Sequence, residues 1–272
     1  MSTNHCMSIP KKSLGQNFLQ HPQIAERIVR AAELPKSETV LEVGPGRGIL
    51  TRSLLAAGMR VVAVEADGEL VEQLSDTFAE EIANKRLTLF HADIRTFDLA
   101  KLSEEYHVVA NIPYYLTGEL IRFLLTAQHK PSSMTLLVQK EVAVRIARQN
   151  AKRPKESVLS LSVKVYGNPR YCFTVPRGAF FPSPNVDSAV ISIQGIRQDT
   201  FESEEAEKRF FTLIKTGFAH PRKMLAKNLE SVFGAEQIAA AFERTEVPKN
   251  TRPEDVSLDQ WRALAAYFES GN

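Results

Sequence analysis

The sequence predicts a doubly wound α/β domain, a mostly parallel sheet with helices on both faces, followed by a small all-α domain. Three observations carry this. Short runs rich in Val and Leu alternate with longer segments whose apolar residues recur every three or four positions. A glycine-rich turn, Gly44-Pro45-Gly46-Arg47-Gly48, follows the first of those runs. From about Glu202 onward only helical spacing remains. Strands that read as near-continuous apolar runs belong to a parallel sheet buried on both faces.

Taken in order, residues 21–34 place Ile24, Ile28 and Val29 at helical spacing, and Pro22 suits a first turn. Residues 39–43 form a short buried strand and 49–57 a helix closed by Gly58. A strand over 60–64 and a helix over about 67–82 follow. Residues 86–91, 106–110 and 134–138 read as further strands, with helices over 117–127 and 141–149. The stretch 151–156 is charged and linker-like, while 163–175 and 186–193 look like strands that extend the sheet. Helices are expected over 208–218, 222–232, 235–242 and 258–268. The expected division is a first domain over 1–200 and a helical domain over 201–272.

Composition narrows the function classes. The 272 residues are 43% hydrophobic and 24% charged with 13 glycines, which suits a folded protein with a substantial core and excludes disorder. Two cysteines, Cys6 and Cys172, cannot make a disulfide framework or a four-ligand zinc site, so a reducing compartment and no metal are expected. No apolar run approaches the ~18–20 residues of a membrane helix. Residues 1–12 are polar and lack the apolar stretch of a secretory signal, so the expected location is the cytoplasm. The net charge is only +2, but between Lys140 and Arg177 nine basic residues, Arg145, Arg148 and Lys152 among them, face two acidic ones. From Phe201 onward ten basic residues face twelve acidic. A localised basic region suits a polyanion-binding face, and a merely solvated basic surface fits it as well.

The glycine turn lets the backbone approach a ligand closely, although a tight strand–helix connection has the same composition. Glu65 ends the second strand roughly 20 residues on, where a carboxylate accepts both ribose hydroxyls of a nucleoside. That pair also fits a nicotinamide oxidoreductase, but dinucleotide binders use G-x-G-x-x-G around a pyrophosphate. Here the spacing is G-x-G-x-G and Pro45 removes one amide, so a cofactor without phosphates fits better. Asp93, at the end of the third strand, is placed to accept an adenine amine or to cap the next turn. Gly44, Gly46, Glu65 and Asp93 thus sit at the carboxyl ends of successive strands, where open α/β sheets bind ligands.

The fourth strand runs into Asn111-Ile112-Pro113-Tyr114-Tyr115. An amide oxygen on Asn111 and the Ile112 carbonyl are two acceptors for the hydrogens of an amine. Pro113 stiffens the turn, and Tyr114 offers a flat face to a base drawn out of its stack. A strand-ending turn with core tyrosines is the plainer alternative.

Asn111-Ile112-Pro113-Tyr114 resembles the N-[IL]-P-Y motif of amino-methyltransferases. Lys12-Ser13-Leu14-Gly15-Gln16-Asn17-Phe18-Leu19, Phe181-Pro182-Ser183-Pro184-Asn185-Val186-Asp187-Ser188, and Thr251-Arg252-Pro253-Glu254-Asp255-Val256-Ser257 with Trp261 resemble segments of the ribosomal RNA adenine dimethylases in the same order. The resemblance implies a Rossmann-like class I methyltransferase fold and S-adenosyl-L-methionine as cofactor. It implies N6-dimethylation of two adjacent adenosines in the 3′-terminal hairpin of small-subunit (16S) ribosomal RNA, by a monomer acting on the assembling pre-30S subunit. By the same resemblance Asn17, Leu19, Gly44, Glu65, Asp93 and Asn111 contact the cofactor, and Phe181 faces Tyr114 across the target base. Arg222 and Lys223 would touch RNA from the helical domain.

Ala92 stands where that family commonly has Gly, Thr117-Gly118-Glu119 replaces a more usual Ser-rich segment, and His220-Pro221-Arg222-Lys223 has proline where an Arg pair is common. Two rivals share much of this pattern: a methylase of the large-subunit RNA, and a noncatalytic RNA-binding factor on the same fold. Glu replacing Arg145, Arg148 and Lys152 is expected to weaken RNA binding and flatten its salt dependence. Each lost phosphate contact removes about 0.7–0.9 from the slope of log K against log salt; a salt titration with an unchanged slope would remove this segment from the RNA face.

Overall fold

The computed structural model describes residue 11, residues 15–147 and residues 155–270. The elements in chain order are β1 (Phe18–Leu19), α1 (Pro22–Ala32), β2 (Thr39–Val43), α2 (Ile49–Ala56), β3 (Arg60–Glu65), α3 (Gly68–Thr77), α4 (Ala79–Ala83) and β4 (Leu87–His91). There follow β5 (His107–Asn111), α5 (Thr117–Thr126), β6 (Ser133–Gln139), α6 (Lys140–Ala147), α7 (Val158–Lys164), β7 (Asn168–Val175), β8 (Phe180–Phe181) and β9 (Ser188–Gln194). Helices α8 (Glu204–Gly217), α9 (Leu225–Leu229), α10 (Ala235–Arg244) and α11 (Leu258–Ser270) complete the chain.

Two compact units result, one up to Val144 with Asn168–Ile196, the other formed by Arg145–Gly167 and Arg197 onward. The first holds a seven-stranded sheet in the order β4-β3-β2-β5-β6-β9-β7. Its first five strands are parallel and the last two pair antiparallel. The chain starts at β2, winds outward through β3 and β4, then returns to β5 beside β2, so strand order reverses between β2 and β5. All five residues of β2 are buried, as a central strand covered on both faces requires. Helix α1 begins on Pro22, ends on a left-handed Glu33 and buries Ala25, Ile28 and Ala32 against this sheet's core.

The expected helix over 67–82 is two helices. Phe78 breaks it with φ −115°, and its ring is buried in the core. A Cβ on Gly48 would come within 2.6 Å of that ring, so the glycine turn and the break in the helix pack into each other. The expected strand over 163–175 is likewise corrected. Residues up to Lys164 are the helix α7, because Ser157 and Ser160 form a reciprocal capping box and Ser160, Leu161 and Val163 are buried on it. The β-branched valines suggested a strand, but the start signal at Ser157 prevails and β7 opens only at Asn168.

The second unit packs α7 to α11 around Phe210, Leu213, Ile214, Leu225, Leu229, Ile238, Phe242, Trp261 and Leu264. Helix α8 starts earlier than its apolar spacing suggests, on Ser203, whose side chain accepts from the Ala206 N–H ahead of three acidic residues. Helix α9 is shorter than expected. The Asn228 side chain donates to the carbonyls of Gly217 and His220, which holds the loop before it outside the helix. Among the described residues no helix is long and apolar enough to cross a membrane. At the end of α8, a Cβ on Gly217 would stand 2.4 Å from the fully buried Trp261 ring. Gly217→Ala should therefore destabilise the protein by about 1–3 kcal/mol despite alanine's better helix propensity, checked by urea denaturation.

Candidate active site

A cleft opens at the carboxyl ends of β2, β3, β4 and β5, where strand order reverses. Asn17, Leu19, Gly44, Gly46, Glu65, Asp93, Asn111, Ile112, Pro113 and Tyr114 all line it, so residues up to 97 positions apart in sequence converge on one site. Phe181 does not line it.

Glu65 organises the centre. It is 6% exposed, and its carboxylate accepts the Gly46 N–H at 3.1 Å and the Asp67 N–H at 3.0 Å. Gly46 reaches that position with φ +58°, and a Cβ there would press on the Phe18 ring at 3.0 Å. Burial raises the Glu65 pKa, and the two N–H bonds oppose the rise. Asp67, which also caps α3 by accepting the Glu69 N–H, takes hydrogen bonds from Lys11 Nζ at 2.8 Å and Gln16 Nε2 at 3.1 Å. Burial pushes Asp67 upward, but these bonds outweigh it and hold the carboxyl below its ordinary value. Sequence reasoning missed Gln16 and Asp67. The available signal was an acidic residue just before a helix start, two positions beyond Glu65.

Asn111 ends β5, and its side-chain nitrogen donates to the Asn17 carbonyl at 3.2 Å, which leaves the side-chain oxygen as an acceptor in the cleft. Asn17 is itself held by its amide donating to the Gly15 carbonyl. Tyr114 hydroxyl and Ser188 hydroxyl share a hydrogen bond of 2.7 Å, so the last residue of the Val186-Asp187-Ser188 segment anchors the ring of the Asn-Ile-Pro-Tyr turn. Burial raises the Tyr114 pKa, so the hydroxyl stays protonated and neutral.

Strand β8 lies antiparallel to β1, with Leu19 opposite Phe180 and Phe18 opposite Phe181. Because successive strand residues point to opposite sides, Phe180 is buried in the cleft wall while Phe181 is 55% exposed. The sequence resemblance pointed to Phe181, whereas pairing with β1 turns the Phe180 ring inward. Asp93 accepts the backbone N–H of Arg95 and is forked by its guanidinium, which lowers its pKa. It thus caps a turn and also lines the cleft. Arg145, Arg222 and Lys223 stand exposed in or at the edge of the second unit, and Arg148 and Lys152 lie outside the described residues.

The donor set suits a cationic nucleoside better than a dinucleotide. Glu65 lies beside the glycine turn, where a pyrophosphate would meet its carboxylate, and the Gly46 amide is already given to Glu65. A Cβ on Gly44 would meet nothing within 4 Å, so the cleft is open beside the turn. No cluster of metal-ligating side chains occurs among the described residues.

The description of ribosomal RNA adenine dimethylases matches residues 7–270. The chain belongs to that family. A ribosomal RNA small subunit methyltransferase A of Dehalococcoides mccartyi is 38% identical over 96% of this chain and 89% of its own. The Streptococcus sanguinis protein of that name is 37% identical over 96% of this chain and 92% of its own. Among solved structures, the 23S ribosomal RNA methyltransferase ErmE superposes with a TM-score of 0.74 at 25% identity, over 93% of this chain and all of that one. A Plasmodium falciparum dimethyladenosine transferase shares the fold with a TM-score of 0.78, at 23% identity over 93% and 97% of the two chains. The dimethylase is an RNA methyltransferase of the Rossmann-like class I fold, and its methyl donor is S-adenosylmethionine.

Glu42, on β2, is 1% exposed and its Oε2 has no hydrogen-bond partner among the described residues. Burial, with Glu65 nearby, pushes its pKa up to about 8. The folded protein therefore keeps this proton while the unfolded chain releases it above its ordinary value near 4.5, so stability falls as pH rises from there to about 8. Glu42→Gln should raise Tm relative to the parent at pH 8 and leave it unchanged near pH 4, read by thermal melts across that range without cofactor. Equal pH dependence in the two proteins would place the ionised form in the fold.

Proposed function

We propose that the dimethylase acts on the small-subunit (16S) ribosomal RNA, converting two adjacent adenosines of the 3′-terminal hairpin to N6,N6-dimethyladenosine during subunit assembly in the cytoplasm. Relatives at 34–38% identity carry the small-subunit name, whereas the 23S enzyme matches at 25%, which favours this substrate over the large subunit. The single observation that carries the chemistry is the convergence of Asn111, Ile112, Pro113 and Tyr114 with Glu65 and Asp93 in one cleft. The first unit, up to Val144 with Asn168–Ile196, holds the reaction. The helical remainder, with Arg222 and Lys223, and the basic run through Arg145, Arg148 and Lys152 supply RNA contacts. A monomer suffices, because one chain carries every residue assigned to the site.

An adenine amine is a poor nucleophile because its lone pair is delocalised into the ring. Asn111 Oδ1 and the Ile112 carbonyl accept the two amine hydrogens and favour a pyramidal nitrogen. Asn17 holds Asn111 in that orientation, and Pro113 keeps the turn rigid. Tyr114, anchored on Ser188, stacks one face of the extruded base. The strand Phe180–Phe181 supplies the opposite wall, and burial in the cleft favours Phe180 over Phe181 as the ring that does so. Glu65 accepts ribose hydroxyls, Asp93 the adenine amine of the cofactor, and Asn17, Leu19, Gly44 and Gly46 shape the remaining wall. When bound, S-adenosylmethionine supplies an electrophilic methyl group. The residues contribute alignment above all, which alone is worth several powers of ten in rate.

Transfer of labelled methyl groups to small subunits lacking the modification, followed by nucleoside identification, tests the substrate; label confined to large subunits would overturn it. Asn111→Ala should lower the methylation rate by at least about a hundredfold with RNA affinity unchanged. Phe180→Ala should impair turnover more than Phe181→Ala, and the reverse ranking would return the clamp to Phe181.

A further inference from the structure

Among the described residues, every hydrogen bond to the Asp93 carboxylate comes from a single residue. Arg95 gives its backbone N–H to Oδ1 at 2.9 Å and its Nε to both oxygens at 3.0 Å, and its Nη2 bonds Oδ2. Arg95 itself lines the cleft. The Asp93 side chain is 38% exposed, so packing alone does not fix the orientation of its carboxylate. A carboxylate offers about four acceptor directions. Three N–H groups make four contacts with it, two on each oxygen, because the Nε–H is shared between them.

We infer that Arg95 is a positioning residue for the cofactor's adenine: its guanidinium fork fixes the plane of the Asp93 carboxylate that accepts the N6 amine. Arginine suits this task because its planar fork sets the plane of the carboxylate, which the point charge of a lysine does not. The backbone bond holds Oδ1 alone, and Oδ2 is held only by the Arg95 side chain. Without the guanidinium, the carboxylate turns about its last bond and the amine loses an oriented partner. The inference rests on the proposed role of Asp93 toward adenine, and the test separates the two.

Calorimetric titration with S-adenosylhomocysteine, and with its counterpart bearing a carbonyl in place of the N6 amine, reads amine recognition without turnover. The parent protein should prefer the amine by at least about tenfold, the range for a hydrogen bond to a charged group. Asp93→Ala should abolish that preference. Arg95→Ala should cut it to within about threefold while leaving affinity for the carbonyl compound unchanged, and Arg95→Lys should fall between. Since the pair is exposed, Arg95→Ala is expected to fold, and unchanged carbonyl-compound affinity verifies that. Full preference retained in Arg95→Ala, with loss in Asp93→Ala, would overturn the role of Arg95 and keep that of Asp93. Tighter amine binding in Arg95→Ala would overturn it too, by making Arg95 a competitor for Asp93. Full preference in Arg95→Lys would overturn the fork argument, and full preference in Asp93→Ala would remove both assignments.

Discussion

The bonds from the Glu65 carboxylate to the Gly46 and Asp67 N–H groups set the form of the site. One oxygen holds the glycine turn after β2, and the other holds the residue that caps α3. A buried carboxylate demands such donors, since leaving it unpaired in the interior is costly. The turn conformation, the helix start and the carboxyl end of β3 are therefore determined together. Asp67 extends the set outward by taking Lys11 and Gln16, so the N-terminal segment is tied to the same centre.

Around that centre, chain segments distant in sequence supply one another's orientation. Asn17 holds Asn111, Ser188 holds Tyr114, and β1 pairs with β8 to turn Phe180 inward. Each of these contacts fixes a side chain that lines the cleft or its wall. Methyl transfer to an amine needs alignment more than strong acid–base chemistry, and the cleft is built accordingly. The tyrosine is neutral, and an amide and a carbonyl line the cleft beside it.

The cleft also distributes its carboxylates by environment. Glu42 is buried with an unpaired oxygen and holds a proton tightly, Glu65 is buried against N–H donors, and Asp67 and Asp93 are held ionised by Lys11 and Arg95. Four acidic groups in one region are tolerable because they do not all carry charge on the same terms. Membership of the adenine dimethylase family agrees with this arrangement, since motif residues 15–19 and 111–114 line the cleft.

Local patterns in the chain were enough for the alternation of strands and helices, the glycine turn, Glu65, Asp93 and the Asn111–Tyr114 turn. These depend on periodicity, on backbone needs of glycine and proline, and on positions at strand ends, all of which are short-range. Tertiary structure alone decided that Phe78 splits a helix, that Ser157 starts one where valines suggested a strand, and that Phe180 rather than Phe181 faces the cleft. It also decided the partners of Asn111, Tyr114, Asp67 and Asp93. In each of these cases the outcome rests on competition: packing against the glycine turn, a cap against β-propensity, or strand pairing that turns Phe180 rather than its neighbour inward. A sequence records the candidates in such a competition, and only the contacts made across the fold determine which prevails.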